Sequence, residues 1–248
     1  MITVEHVNKS FGGKPVLKDV SYTFDTGKTN IIIGASGSGK TVLMKTIVGL
    51  IVPDSGEIKY DGRLFSQMSA NEKRKLRYEM GMLFQGGALF DFMTVEENVR
   101  FPLDMFTDQA EAEKRDRVHF CLQRVNLTDA HKKTPSELSG GMIKRVAIAR
   151  AISLNPRYLF CDEPNSGLDP NTSGLIDELI EEITAEYNIT TIINTHDMNS
   201  VLKIGNTVAY IHQGNLWWKG DKKSILHSDN QELNDFVFAM ELTKRLKK

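Results

Sequence analysis

Gly34-Ala35-Ser36-Gly37-Ser38-Gly39-Lys40-Thr41 is the stretch that decides the reading of this 248-residue chain. It follows an apolar run, Ile31-Ile32-Ile33, and opens onto a helical pattern from Val42 to Leu50. A strand, a glycine-rich loop and a helix in that order make a phosphate-binding loop. Gly34, Gly37 and Gly39 permit the positive φ that brings backbone N–H groups close to phosphate oxygens. The helix that follows points its positive end at the same anion. Lys40 supplies a mobile charge for the β- and γ-phosphates, and Thr41 a hydroxyl for Mg²⁺. The loop alone specifies a nucleoside triphosphate; it does not separate a kinase from a motor or a transporter.

Outside the loop the composition is ordinary for a globular protein, with 40% apolar and 25% charged residues. The length suits one large domain or two lobes sharing a core. A formal net charge of −1 offers no field to attract nucleic acid. Cys121 and Cys161 fall on separate predicted elements without metal-ligand spacing, as reduced, packed thiols would. Met1-Ile2-Thr3-Val4-Glu5 lacks the basic start and long apolar core of a secretion signal. The most apolar stretch, Val42 to Val52, is broken by Lys45, Thr46 and Gly49 and falls short of the roughly 18 apolar residues of a membrane span.

Taken in order, residues 2–7 and Val16 to Phe24 read as strands, joined through a Gly12-Gly13 turn. Pro53 to Gly56 ends the first helix, and Glu57 to Tyr60 is a short strand. A charged helix over Ala70 to Tyr78 precedes an apolar strand, Met80 to Phe84, which Gln85 ends. The pattern is then helical, with interruptions, from Thr94 to about Leu154. Val118, Cys121, Leu122 and Val125 form one apolar face there, and Glu111, Glu113, Arg115 and Arg117 lie outside it as a solvated surface. Beyond Asn155-Pro156 the strands return: Tyr158 to Cys161, Thr190 to Asn194, Val208 to His212 and Leu216 to Lys219. A helix over Pro170 to Tyr187 is apolar at Leu175, Ile176, Leu179, Ile180 and Ile183, and the tail from Gln231 reads as a helix. Strand–helix alternation on both sides of a helical block predicts an α/β protein with a parallel-sheet core and a helical insertion.

Several further groups acquire a chemical rationale beside the phosphate loop. Asp162, at a strand end, can hold Mg²⁺ through its water shell, and Glu163 is placed to polarise an attacking water. Taken alone, an Asp-Glu pair there could equally cap a turn. Gln85 also ends a strand, where an amide reaches both metal and water. His196 ends a third, where ligands of open parallel sheets gather, although a lone histidine at such a place is usually structural. Leu138-Ser139-Gly140-Gly141-Met142 precedes a helix carrying Arg145, Ala147, Ala149 and Arg150. Two glycines at a helix start beside Ser139 make a second anion-binding end. Two such ends for one nucleotide are reconciled by a two-fold dimer, each ATP lying between one chain's phosphate loop and the other's Ser-Gly-Gly end.

Over essentially its whole length the chain resembles the ABC-type ATPases. The motifs Leu138–Met142, Asp162-Glu163, Ser166-Gly167-Leu168-Asp169, Gln85 and His196 stand in that family's order, and Phe11 matches the aromatic on which the family stacks adenine. The resemblance implies a P-loop NTPase fold with a RecA-like, mostly parallel core, an antiparallel β subdomain and a helical subdomain. The core and β subdomain would take 1–85 and 156–228, the helical subdomain about 86–155 and a C-terminal helix about 229–248. ATP and Mg²⁺ are the implied cofactors. ATP would be held by Phe11, Gly34 to Thr41, Ser139, Gly140, Gly141 and Asp169, and the metal by Thr41, Gln85 and Asp162. Glu163, His196 and Gln85 would serve catalysis. Met142 stands where the family usually has Gln. Together with Gln85-Gly86-Gly87-Ala88-Leu89-Phe90 and Val95 to Leu103 it resembles the Mla-type ATPases of bacterial phospholipid transport.

That subgroup implies a peripheral ATPase on the cytoplasmic side of the inner membrane, soluble when isolated. It would work as a homodimer on integral permease subunits, with a lipid-carrier protein reached through the permease. Leu89, Phe90, Phe92 and Met93, unusually apolar for a loop and following two glycines, are expected to line a groove between sheet core and helical insertion that receives a permease helix. The competing expectation for those residues is packing of the helical lobe. Other function classes are an ABC ATPase that signals through a membrane partner or serves another cargo, and one acting on DNA or ribosomes. The last usually shows coiled coils, zinc motifs, tandem halves or basic arms, none of which the sequence carries.

Overall fold

The computed structural model describes residues Met1–Ala239. Contacts within the chain divide it into two compact units: Met1–Ala70 with the residues from Thr190 onward, and Asn71–Ile189. These boundaries differ from the 85/86 and 155/156 divisions read from the sequence: residues 71–85 and 156–189 cluster with 86–155 in one unit.

In the first unit β1 (Ile2–Phe11) is the centre of an antiparallel sheet. It pairs with β2 (Lys14–Phe24) on one side and β4 (Ser55–Tyr60) on the other, and β5 (Arg63–Leu64) extends β4. Ile2 and Val4 face Phe24 and Tyr22 across one ladder and Tyr60 and Ile58 across the other, so alternate residues go into the core. β3 (Thr29–Ile33), buried at every position, runs parallel to β8 (Thr190–Asn194) and β9 (Thr207–His212), and β10 (Asn215–Gly220) closes the order β10-β9-β3-β8 in antiparallel fashion. Parallel strands covered on both faces carry apolar runs, such as Ile31-Ile32-Ile33 here. Buried polar residues accompany these runs at Thr29, Thr190, Thr191, Asn194 and Asn30. The Asn30 amide donates to the carbonyls of Asp25, Lys28 and Thr191 and accepts from Asp25 N–H and the Thr207 hydroxyl, so each of its polar atoms is satisfied. α1 (Lys40–Val48) follows β3, and α7 (Met198–Ile204) follows β8. The tail forms α8 (Gln231–Val237), N-capped by Asn230; the rest of the helix expected to 248 lies outside the described residues.

The second unit contains α2 (Ala70–Tyr78) from its second residue on, β6 (Met80–Leu83), α3 (Val95–Phe106), α4 (Glu111–Arg124), α5 (Gly140–Ile152), β7 (Tyr158–Asp162) and α6 (Pro170–Glu186). β6 and β7 pair in parallel, Leu83 opposite Cys161. α5 is apolar nearly all round, which marks a helix buried on several sides, and α3, α4, α6 and β6 all pack on it. On α6, Ile176, Leu179, Ile180 and Ile183 are buried, but Leu175 is 63% exposed. The apolar face read from the sequence is one residue too wide there.

Candidate active site

In the first unit, the loop after β3 turns through Gly34 and Gly39 because nothing larger fits. At Gly34 a Cβ would lie 2.3 Å from the Ile211 carbonyl oxygen, and at Gly39 (φ +111°) 2.9 Å from that of Val16. The loop is tied down from outside by Gly214 N–H donating to the Ser38 carbonyl and Lys18 N–H donating to that of Gly214. α1 begins with no side-chain cap and no acid in its first turn, leaving its N–H groups to an external anion. The Ser38 hydroxyl is buried without a hydrogen-bond partner. Lys40 is buried and donates to the carbonyls of Gly34 (2.7 Å) and Ala35 (3.0 Å). An uncapped helix, an orphan hydroxyl and an ammonium folded over the loop are the donor set that triphosphate oxygens require.

His196 stands two residues past the end of β8. The parallel register sets Asn194 opposite Ile32, and Thr195 N–H donates to the Ile32 carbonyl at 3.1 Å, so His196 emerges beside the strand that feeds the phosphate loop. It is exposed. Phe11 ends β1 and is 48% exposed, with the Lys9 ammonium 5.4 Å from its ring centroid. It is therefore an exposed ring, not a core one.

In the second unit Asp162 is the last residue of β7, and Glu163 turns away from it with φ +49°, a left-handed conformation unusual for a non-glycine residue. The Ser166 N–H donates back to the Glu163 carbonyl at 3.2 Å and closes a tight turn. Gln85 lies in the turn after β6, two residues past the strand, and its amide donates to the Ser166 hydroxyl at 3.1 Å. Gln85 and the turn that carries Glu163 thus meet through Ser166.

Ser139 N-caps α5, its hydroxyl accepting from Met142 N–H at 3.3 Å. The Met142 backbone, rather than its side chain, completes the cap. Ser139, Gly140 and Gly141 line a cavity of about 410 Å³ together with Gly167, Leu168 and Asp169. A Cβ on Gly141 would reach 2.6 Å from the Thr172 side chain, so that glycine lets α5 and α6 close together. Asp169 N-caps α6, accepting from Asn171 N–H, Thr172 N–H and the Thr172 hydroxyl; these bonds, that of the hydroxyl first, hold its carboxyl below the usual range. Its carboxylate is thereby engaged within its own turn.

The four residues expected in the groove separate. A second cavity, about 340 Å³, is lined by Phe84, Ala88, Phe90, Phe101, Pro102 and Phe106 among others. Phe90 is part of it; Leu89, Phe92 and Met93 are not, and Phe92 is 81% exposed. The reason is Asn98, fully buried on α3, whose amide binds the carbonyls of Phe90, Met93 and Thr94 while its oxygen accepts from Phe90 N–H. This pins the loop so that Phe90 turns in, against Phe101 at 4.7 Å between centroids. Gly87 packs closely on α5: a Cβ placed there would lie 2.8 Å from the Ile143 side chain.

Sequence reasoning missed Ser166 as the partner of Gln85, and Lys144, which is 4% exposed and donates to the Gln85 carbonyl. A lysine in the mostly apolar stretch Gly141 to Ile152, which also holds Arg145 and Arg150, was the available signal for Lys144.

Residues 17–166 match the family described as ABC transporter. Over 236 residues the chain is 38% identical to the probable ribonucleotide transport ATP-binding protein mkl of Mycobacterium leprae, covering 95% of this chain and 68% of that protein. It is also 38% identical over 233 residues to the intermembrane phospholipid transport system ATP-binding protein MlaF of Escherichia coli K12, covering 94% and 84% respectively. The ATP-binding cassette MJ0796, solved as a dimer in a post-hydrolysis state bound to ADP and Pi, aligns with a TM-score of 0.80 at 30% identity over 90% of this chain and 99% of its own. The two relatives are named for different cargoes at the same identity.

Proposed function

The chain belongs to the ABC transporter family as an ATP-hydrolysing subunit, and we propose that it energises a separate membrane permease whose cargo is phospholipid. The observation that carries the permease reading is the aromatic groove of the second unit, where Phe84 and Phe106 remain 40% and 44% exposed at its wall. A short permease helix would anchor apolar side chains between Phe90, Phe101 and Phe106. No helix among the described residues is long and apolar enough to cross a membrane. The phospholipid reading is supported by Met142, by Gln85 to Phe90 and Val95 to Leu103, and by the similarity to MlaF.

In this reading two copies enclose two ATP molecules, each held by the loop Gly34 to Thr41 of one copy and Ser139-Gly140-Gly141 of the other. The dimeric state of MJ0796 supports that arrangement. Phe11 stacks on the adenine. Lys40 exchanges its carbonyl partners for β- and γ-phosphate oxygens. Thr41, Gln85 and Asp162 would hold Mg²⁺, which when bound supplies positive charge to the phosphates. Glu163 orients and deprotonates the attacking water, and His196 steadies the γ-phosphate. The finer division into core, antiparallel and helical subdomains, the cytoplasmic face of the inner membrane and a lipid carrier beyond the permease belong to the same proposal, as does the absence of a nucleic-acid partner.

The test is reconstitution of the purified complex in vesicles carrying a labelled phospholipid. ATP-dependent lipid movement that Phe90→Asp abolishes, with ATP binding by the isolated subunit retained, is expected. ATPase stimulation by ribonucleotide but not by phospholipid would reject the cargo, and co-purification of Phe90→Asp with the permease at wild-type yield would reject the groove.

A further inference from the structure

We propose that Lys144 and Arg150 are positioning residues for hydrolysis, two cations of α5 that lock the Gln85–Ala88 turn onto the helix whose first residues are the Ser139-Gly140-Gly141 end. The inference rests on the role given to Gln85 above and goes beyond it by naming what holds Gln85 in place.

Three independent features seat this turn on α5. Lys144 donates its ammonium to the Gln85 carbonyl. Arg150 straddles the next part of the turn, Nη2 donating to the Gly87 carbonyl at 2.8 Å and Nη1 to that of Ala88 at 2.7 Å, two nitrogens fixed in one plane where a lysine offers a single nitrogen. Gly87, at φ +77°, lies so close to Ile143 of the same helix that no side chain fits between them. The turn also holds an uncommon backbone: Ala88 has φ +48°, the left-handed region that an alanine enters only when its surroundings hold it there. Its carbonyl is one of the two that Arg150 grips.

The cations sit where an apolar residue would be cheaper. Lys144 is 4% exposed on a helix whose other buried residues include Val146, Ala147, Ile148, Ala149 and Ala151. Burial pushes its ammonium below its ordinary value, opposed by the nearby Cys161 and Glu163. Burial likewise lowers Arg150. A pure packing role would be served by Met or Leu without this desolvation. The carbonyls of Gln85, Gly87 and Ala88 supply the polar partners that offset it.

The consequence is mechanical. With its carbonyl held by Lys144, the Gln85 backbone cannot rotate independently of α5, and its amide is aimed at Ser166 on the turn of Glu163. Ala88 and Arg150 also line the aromatic groove, so a helix docked there presses on the same bonds that orient Gln85. A displacement of about 1 Å at a catalytic group can cost about 100-fold in rate.

The experiment compares the full chain with Lys144→Met, Lys144→Arg, Arg150→Lys and Gln85→Ala. Readouts are steady-state hydrolysis with ATP and Mg²⁺, ATP affinity, melting temperature and amide hydrogen exchange over residues 85–89. Lys144→Met is expected to keep ATP affinity and melting temperature, to lose about 10- to 100-fold in kcat with KM little changed, and to exchange faster in that segment alone. Lys144→Arg is expected to restore kcat. An unchanged kcat in folded Lys144→Met, or a kcat loss that tracks melting temperature and is not rescued by arginine, would overturn the proposal. If Lys144→Met does not fold, Arg150→Lys, which keeps the charge and loses the fork, is judged by the same readouts. If Gln85→Ala leaves kcat unchanged, the role of Gln85 fails and the positioning claim with it. A kcat loss in Gln85→Ala, with normal kcat in both Lys144→Met and Arg150→Lys, rejects the clamp alone.

Discussion

Glu163 is a glutamate held at φ +49° immediately after a strand-ending aspartate, a conformation that costs free energy unless neighbouring bonds maintain it. The Ser166 N–H maintains it, and the result is a carboxylate directed by a tight turn instead of by strand geometry. If that carboxylate acts as the general base, Glu163→Gln should bind ATP normally and lose about 10²–10⁴-fold in turnover. Single-turnover hydrolysis checks this, and a near-normal rate would remove Glu163 from the role. Phe11 poses the opposite problem, an aromatic ring left 48% exposed at a strand end. Stacking on a base is worth about 1–3 kcal/mol, so Phe11→Ala should weaken ATP by about 5- to 150-fold while its melting temperature stays near wild type. A large fall in stability with unchanged affinity would show instead a packing residue.

At the scale of elements, helix ends and one buried amide set what the loops present. α3 opens on a reciprocal cap in which Thr94 N–H and its hydroxyl donate to the Glu97 carboxylate and Glu97 N–H donates to the Thr94 hydroxyl. Those bonds, the backbone one first, hold the Glu97 carboxyl below its ordinary value. A carboxyl lowered on folding contributes stability above its unfolded value and loses it as pH falls through the lowered folded one. The melting-temperature gap between wild type and Glu97→Ala should therefore be widest at neutral pH and close below about pH 4; a gap constant with pH would contradict the cap. Asn98, one turn into the same helix, satisfies the loop that carries Phe90. Its replacement by Ala strands buried carbonyls, a cost of about 1–3 kcal/mol and about 2–4 °C per kcal/mol in Tm. Because the loop is freed, the variant should also lose permease yield, which Asn98→Asp, keeping the acceptor alone, would restore only in part.

For the whole molecule the decisive question is whether a complete site needs two copies. Ser139 and Lys40 stand at the beginnings of different helices in different units of the chain. If each ATP is shared between copies, Ser139→Arg should bind nucleotide as a monomer and fail to dimerise on it. Mixing Ser139→Arg with Lys40→Met should then recover hydrolysis above either variant alone, because one site in the mixed dimer keeps both an intact phosphate loop and an intact Ser-Gly-Gly end. Loss of monomer binding in Ser139→Arg, or no recovery on mixing, would place both parts in one chain's site.

The sequence by itself determined the parts of this protein that depend on local backbone geometry. Glycines at 34, 37 and 39 before Lys-Thr require a loop of left-handed turns after a strand, and Ile31-Ile32-Ile33 requires a strand covered on both faces; these are constraints between near neighbours, so spacing reveals them. The alternation of Ile2 and Val4 and the face of Val118, Cys121, Leu122 and Val125 were legible for the same reason. Only the tertiary structure decided which way side chains in irregular segments point. Leu89, Phe90, Phe92 and Met93 look alike along the chain, and it takes Asn98, on another element, to turn Phe90 into the groove and leave Phe92 in solvent. Leu175 follows the helical period of its buried neighbours and is nonetheless exposed, since burial depends on what packs against a face. Lys144 is the reverse case, a buried cation whose partner, the Gln85 carbonyl, belongs to a distant turn that folds onto its helix. Periodicity records where a side chain leaves the backbone, whereas its energy is set by partners that only folding brings within reach.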